Sequence, residues 1–238
     1  MDNEVDLPAA PDDVWTAITA DTAAWQFPTG MEIPAGTTPS PDAPVTTWDP
    51  PKRLVIRMES PDGTFNALDY SIEARAGGTA HLRYVHSGIL ADEWEDQYDA
   101  IDGHTDFYLH TLAQYLEHFN GRPVTYVGQP SSGIEGPEAA GAADAMETLR
   151  SALGIGQDAA VGDAVHAQLG DAGPLDGVID YATPQFLGVR TDDGLYRFFG
   201  RNHFGSVVGM SAHVFRDDAD AVGAEAALKR WLDSVYAS

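Results

Sequence analysis

Along the first half of the chain, apolar positions alternate with polar ones, switch to helical spacing, and then alternate again. Val5 and Leu7 fall on one side of a short strand. Pro11 follows, and the helix after it is expected to be opened by Asp12 or Asp13, residue types whose side chains accept hydrogen bonds from a helix's first N–H groups. A second helical turn ends at Trp25. Period-two alternation returns in three runs. Residues 53–59 send Leu54, Ile56 and Met58 to one side, residues 64–72 send Leu68 and Tyr70, and residues 79–87 send Leu82, Tyr84 and His86. Residues 94–119 then place Ile101, Thr105, Tyr108, Leu112, Tyr115 and Phe119 on one helical face.

The second half repeats this order in shorter form. After a strand at 123–127, residues 129–137 lack apolar periodicity and carry Pro and Gly near both ends, which predicts a linker. An Ala-rich helix is expected over 138–153, then strands at 161–169, 177–181, 185–191, 195–201 and 206–215. A last helix puts Ala224, Leu228, Trp231 and Val235 on one face; Tyr196 and Phe198 are expected on the sheet face away from it. The chain therefore reads as α+β, with one domain over 1–128, a linker over 129–137 and a smaller α+β domain over 138–238. The smaller one echoes the order of the first as a truncated copy would.

Three stretches carry a family resemblance: residues 11–25, the run Trp48-Asp49-Pro50-Pro51-Lys52-Arg53-Leu54, and the helical run Tyr108-Leu109-His110-Thr111-Leu112-Ala113-Gln114-Tyr115-Leu116. Together they resemble the START-like (SRPBCC, helix-grip) superfamily, and within it the ATPase-activator-like branch, over about the first 125 residues. The resemblance implies a curved antiparallel sheet wrapped around a long closing helix, with an apolar cavity wherever the facing side chains leave space. Strand alternation and the helical stripe then name the walls: Met58, Leu68, Tyr70, Tyr84 and His86 from the sheet, and Ile101, Thr105, Tyr108 and Leu112 from the helix. Trp25, Phe27 and Met31 are expected near the mouth. Where relatives often carry a Gly-Trp pair, this chain has His104 and Thr105. Thr in place of an indole leaves room, and His104 is read as a solvent-facing residue beside Asp102 and Asp106 or as a ligand contact.

The resemblance implies binding of a small hydrophobic or amphipathic molecule. Two other classes stay open beside it. One is an enzyme of the polyketide cyclase or aromatase type, in which Tyr84, His86 and Tyr108 would orient carbonyls or exchange protons. The other is a protein that docks on a partner, as the activator branch does on a chaperone ATPase.

Charge narrows the partners. The 238 residues hold 37 Asp and Glu against 13 Lys and Arg, a net charge of −24. Such a surface repels nucleic acid and anionic lipid, so neither is expected. Dense carboxylates fit adaptation to high salt, while the Asp-, Ala-, Gly- and Arg-rich composition of a GC-rich genome is the simpler reading. Self-repulsion is expected to weaken the fold at low ionic strength, so the melting temperature should rise as salt is added. A melting temperature flat from millimolar to molar salt would contradict this. There are no cysteines, which removes disulfides, thiolate metal sites and thiol nucleophiles. The first residues lack the basic and apolar pattern of a leader, and no window is apolar enough to span a bilayer, so a cytoplasmic protein is expected.

No metal site, cofactor or catalytic residue is assigned. Asp102, His104 and Asp106 are spaced i, i+2, which spreads them over different helix faces. The acids of 92–96 suit a solvated helix start. Gly154-Ile155-Gly156 lacks the third glycine of a dinucleotide loop, and Gly209-Met210-Ser211-Ala212-His213 lacks the closing glycine of a nucleophile elbow. In the second half, Tyr196, Arg197, Arg201, His203 and His213 gather in a chain poor in bases. They are read as an anion site or, more simply, as Arg pairs with Asp180, Asp192 or Asp193.

Overall fold

The computed structural model describes residues 1–89 and 94–237, without the side chains of 89–101. It divides into two compact units, Met1–Gly121 and Arg122–Ser238.

The first unit begins with strand β1 (Asp2–Leu7) and helix α1 (Pro11–Thr19), followed by a 3-10 turn at Thr22–Ala24. Pro11 occupies the first helical turn, where its missing N–H costs nothing. Asp12 and Asp13 sit inside that turn and give no side-chain cap, so they meet the positive helix end as charges instead of opening the helix by hydrogen bonds. Strands β2 (Val45–Asp49), β3 (Arg53–Glu59), β4 (Phe65–Arg75) and β5 (Thr79–Ile89) then form a meander, and helix α2 (Trp94–His118) closes the unit. The sheet order is β1-β5-β4-β3-β2, so the first strand pairs with the last strand before the long helix.

The register aligns side chains in rows. Leu54, Tyr70, Tyr84 and Asn3 form one row, and Ile56, Leu68 and His86 form the next. The opposite face carries Arg53 bound to Asp69 at 2.8 Å and Arg83 bound to Asp2, pairs exposed enough to contribute little to stability. One face is therefore solvated and the other turns to the helix. Burial on α2 is broader than the six-residue stripe, since Phe107, Leu109, Thr111 and Leu116 are buried beside Thr105, Leu112, Tyr115 and Phe119. Tyr115 ties the helix end down: its hydroxyl donates to Asp21 Oδ2 at 3.2 Å and accepts from the Gly121 N–H, and burial pushes its phenol up to about 12.

The second unit opens with β6 (Thr125–Val127) and β7 (Ile134–Glu135), both paired with β12. The stretch expected to leave the first half, and part of the stretch expected to be a bare linker, thus open the second sheet, where Val127 and Ile134 are buried. A 3-10 turn (Glu138–Gly141) and helix α3 (Ala145–Ala152) stand in place of one continuous helix over 138–153. The break has a hydrogen-bonding cause: the Val208 N–H takes the Ala140 carbonyl, and Asn202 Nδ2 takes those of Ala142 and Ala143.

Strands β8 (Ala164–Gln168), β9 (Pro174–Ala182), β10 (Phe186–Arg190), β11 (Gly194–Phe199) and β12 (Gly209–Val214) complete the sheet, in the order β6-β12-β11-β10-β9-β8. Helix α4 (Ala221–Val235) follows, capped by the Asp220 carboxylate accepting from the Gly223 N–H. Again the strand before the helices pairs with the strand before the last helix. Phe198 packs on Trp231 of α4 with ring centroids 6.3 Å apart, and Tyr196 joins the same cluster. Both lie on the α4 side of the sheet, because the even positions of β11 face that helix and the odd ones, Leu195, Arg197 and Phe199, face away.

Candidate functional site

The inner face of the first sheet and helix α2 do not close on each other completely. A cavity of about 540 Å³ remains between them. Sheet residues Met58, Leu68, Tyr70, Tyr84 and His86 form one wall. The helix contributes Thr105 and Tyr108, and the segment after the 3-10 turn contributes Phe27 and Met31. The two periodicities, period two in the strands and helical in α2, select these sides independently and converge on one space.

Not every expected wall residue lines it. Leu112 is fully buried in the core below, and Trp25 is buried with its indole N–H donating to the Ala17 carbonyl at 2.9 Å. Trp25 reaches only a smaller recess of about 40 Å³ that shares Tyr70, Tyr84, Thr105 and Tyr108 with the main cavity, so it backs the site instead of guarding its mouth. The side chain of Ile101 lies outside the described residues. Four lining residues stood outside the expected walls. Gln26 and Thr29 belong to irregular chain with no periodicity to flag them, whereas Asn66 keeps phase with Leu68 and Tyr70 and was legible as an inward position. His104, for which a solvent-facing position was the simpler expectation, is the fourth.

The polar groups of the cavity are ordered by one another. Tyr70 and Tyr84, directly opposite on neighbouring strands, have ring centroids 4.9 Å apart, and their phenols hydrogen-bond to each other. Burial pushes both phenols above their ordinary range, so each is a neutral hydroxyl at neutral pH. His86 Nε2 and Asn66 Oδ1 lie 2.6 Å apart, diagonal neighbours across β4 and β5, which a ring carrying its proton on Nε2 satisfies. Burial lowers the His86 pKa below 6.5, favouring the uncharged ring. Phe27 meets Tyr108 edge to face, with centroids 6.0 Å apart.

The lining contains no Asp, Glu, Lys or Arg among the described residues, in a chain with a net charge of −24. Chemically, the site offers an apolar floor and several neutral hydrogen-bonding tips. Because burial disfavours the charged ring, the His86 resonance should titrate with a midpoint below 6.5 in the folded protein. Its share of stability is complete above that pH and is lost as pH falls through the native midpoint. A midpoint at or above 6.5 by NMR would contradict the buried, neutral assignment.

Other constellations resolve into structural pairs. Asn3 Nδ2 donates to Asp106 at 2.9 Å and to Asp102 at 3.4 Å, and no cluster of metal-ligating side chains occurs among the described residues. No helix among them is long and apolar enough to cross a membrane. In the second unit, Arg197 is 1% exposed and grips Asp180 with two hydrogen bonds of 2.9 Å, so the pairing expectation holds for Arg197. Arg201 donates to the Ser132 carbonyl and lies over the Phe199 ring, while buried His213 packs on Tyr126.

The first unit is an α+β arrangement of strand, short helices, antiparallel meander and a long closing helix, the order expected of a helix-grip fold. No family model and no curated protein matches the chain. Among solved structures, it is similar to DynU16, a protein of the dynemicin biosynthetic locus, at 17% identity over 100% of this chain and 95% of that one, with a TM-score of 0.38. It is also similar to the Aha1 dimer from Colwellia psychrerythraea, at 18% identity over 51% of this chain and 98% of that one, with a TM-score of 0.38. The di-domain ARO/CYC StfQ of the steffimycin pathway matches at 10% identity over 100% of this chain and 94% of that one, with a TM-score of 0.34. Likenesses this low carry no argument about function.

Proposed function

We propose that the first unit binds a small hydrophobic or amphipathic molecule in the cavity between its sheet and α2. The observation that carries this reading is the uncharged lining of a space of about 540 Å³, within the range of small-molecule sites. A molecule with an apolar body would lie on Met58, Leu68 and Phe27, and a hydroxyl or carbonyl at one end would meet Tyr84 or His86. The neutral fluorophore N-phenyl-1-naphthylamine tests the reading directly. Saturable binding with one site in this unit is expected, and absence of binding or a non-saturating signal would count against it.

A second reading, an enzyme of cyclase or aromatase type, draws support from the line Tyr70, Tyr84, His86 and Asn66. These groups can polarise a carbonyl or relay a proton beside an apolar chain. Turnover, and not binding alone, separates the two. The second unit is read as a reduced START-like copy, on the ground that its opening strands pair with the strand preceding its last helix, as in the first.

A further inference from the structure

A different cavity, of about 430 Å³, lies wholly within the second unit between α3 and the turn joining β9 to β10. Met146, Ala159, Ala182 and Pro184 supply apolar lining. Arg150 stands among them, half-buried, and it makes no ion pair with any described residue although acids outnumber bases almost three to one. Its Nη2 is anchored on the carbonyls of Thr183 and Phe186, at 2.5 and 3.3 Å. This fixes the guanidinium in place and leaves Nε and Nη1 without a protein acceptor among the described residues. A guanidinium held rigid, partly desolvated and not neutralised is an unusual expense in a protein so rich in carboxylates. Burial lowers its pKa and no carboxylate offsets the effect.

The neighbours of Arg150 are also unspent. Thr183 Oγ1 accepts from the Phe186 N–H and keeps its own proton to donate. The Gln157 amide and the His203 ring line the same space and have no side-chain partner among the described residues. Glu147, also on the lining, is exposed and stays outside ion-pair distance of Arg150.

We propose that this cavity binds a small monocarboxylate with an apolar body, its carboxylate on Arg150 and its body against Met146 and Ala182. A single negative charge fits better than a phosphate, because one guanidinium with one end already committed must hold the anion against the field of a strongly acidic protein.

Octanoate and its neutral counterpart 1-octanol test this on the full chain at pH 8, with methionine methyl groups observed by NMR. Met146 reports this cavity, Met31 and Met58 report the other, and Met210 serves as a core reference. Octanoate should shift Met146 saturably, and 1-octanol should do so at least tenfold more weakly. Arg150→Gln should weaken the octanoate effect at least tenfold. Because that variant also removes the anchors on Thr183 and Phe186, Ala143→Trp provides a second test: the site is exposed and on the lining, so an indole there should block the cavity without disturbing the core. Met146 unmoved by octanoate, equal responses to octanoate and 1-octanol, or undiminished binding in Ala143→Trp would each overturn the proposal.

Discussion

Asp180→Ala should cost the second unit about 3–5 kcal/mol, because it leaves the Arg197 guanidinium buried without its counter-charge. In urea, with a slope near 2 kcal/mol/M, the midpoint should fall by about 2 M. Met146 and Met210 lie in the core of this unit, and their methyl resonances would report the transition. The effect is a penalty for an unpaired charge and not the net worth of the pair. Replacing both partners with apolar residues of similar shape, Asp180→Leu with Arg197→Met, should therefore recover most of the loss. A midpoint for Asp180→Ala within about 0.3 M of the parent would contradict the account. The packing around the pair explains a glycine as well. Gly188 lies between β9 and β11, and a Cβ there would fall on Asp180 Oδ1 and 2.6 Å from Arg197 Nη1. The ion pair occupies the place of its side chain, so Gly188→Ala should destabilise by forcing the pair apart.

Thr105→Trp should weaken binding of N-phenyl-1-naphthylamine at least tenfold while leaving the unit folded. Thr105 lines both the main cavity and its recess, so an indole at that point extends into space that is already empty instead of displacing packed atoms. Overpacking a filled core would show the opposite signature, a large loss of stability. Unchanged affinity in a folded Thr105→Trp protein would place binding elsewhere.

The parts of this architecture visible in the sequence are those governed by a short repeat. Alternation in β3, β4 and β5 put Met58, Tyr70, Tyr84 and His86 on one face, and the α2 stripe brought Thr105 and Tyr108 to meet them. Where a repeat ran out, or where position depended on distant chain, the reading failed. Leu112 has the right phase but lies too deep, since phase gives a side and not a depth. Gln26 and Thr29 lie in irregular chain, whereas Asn66 had the inward phase of Leu68 and Tyr70 and was left out of the walls because it is polar. The helix expected over 138–153 is rich in good helix formers apart from Gly141, and its carbonyls at Ala140, Ala142 and Ala143 are claimed by Val208 and Asn202 from far along the chain. Tyr196 and Phe198 were assigned the wrong side because the side on which α4 packs is a tertiary choice. The partner of Arg197 was among three candidate acids, and only the space at Gly188 singles out Asp180.

The central claim is that the space between the first sheet and α2 receives the ligand. Titrating the methionine-methyl-labelled protein with N-phenyl-1-naphthylamine tests it most directly, since Met58 and Met31 line that space and Met210 does not. The account predicts saturable shifts of Met58 and Met31 with Met210 unmoved, and at least tenfold weaker binding by the same readout in Thr105→Trp. Saturable binding that leaves Met58 and Met31 where they are would contradict it.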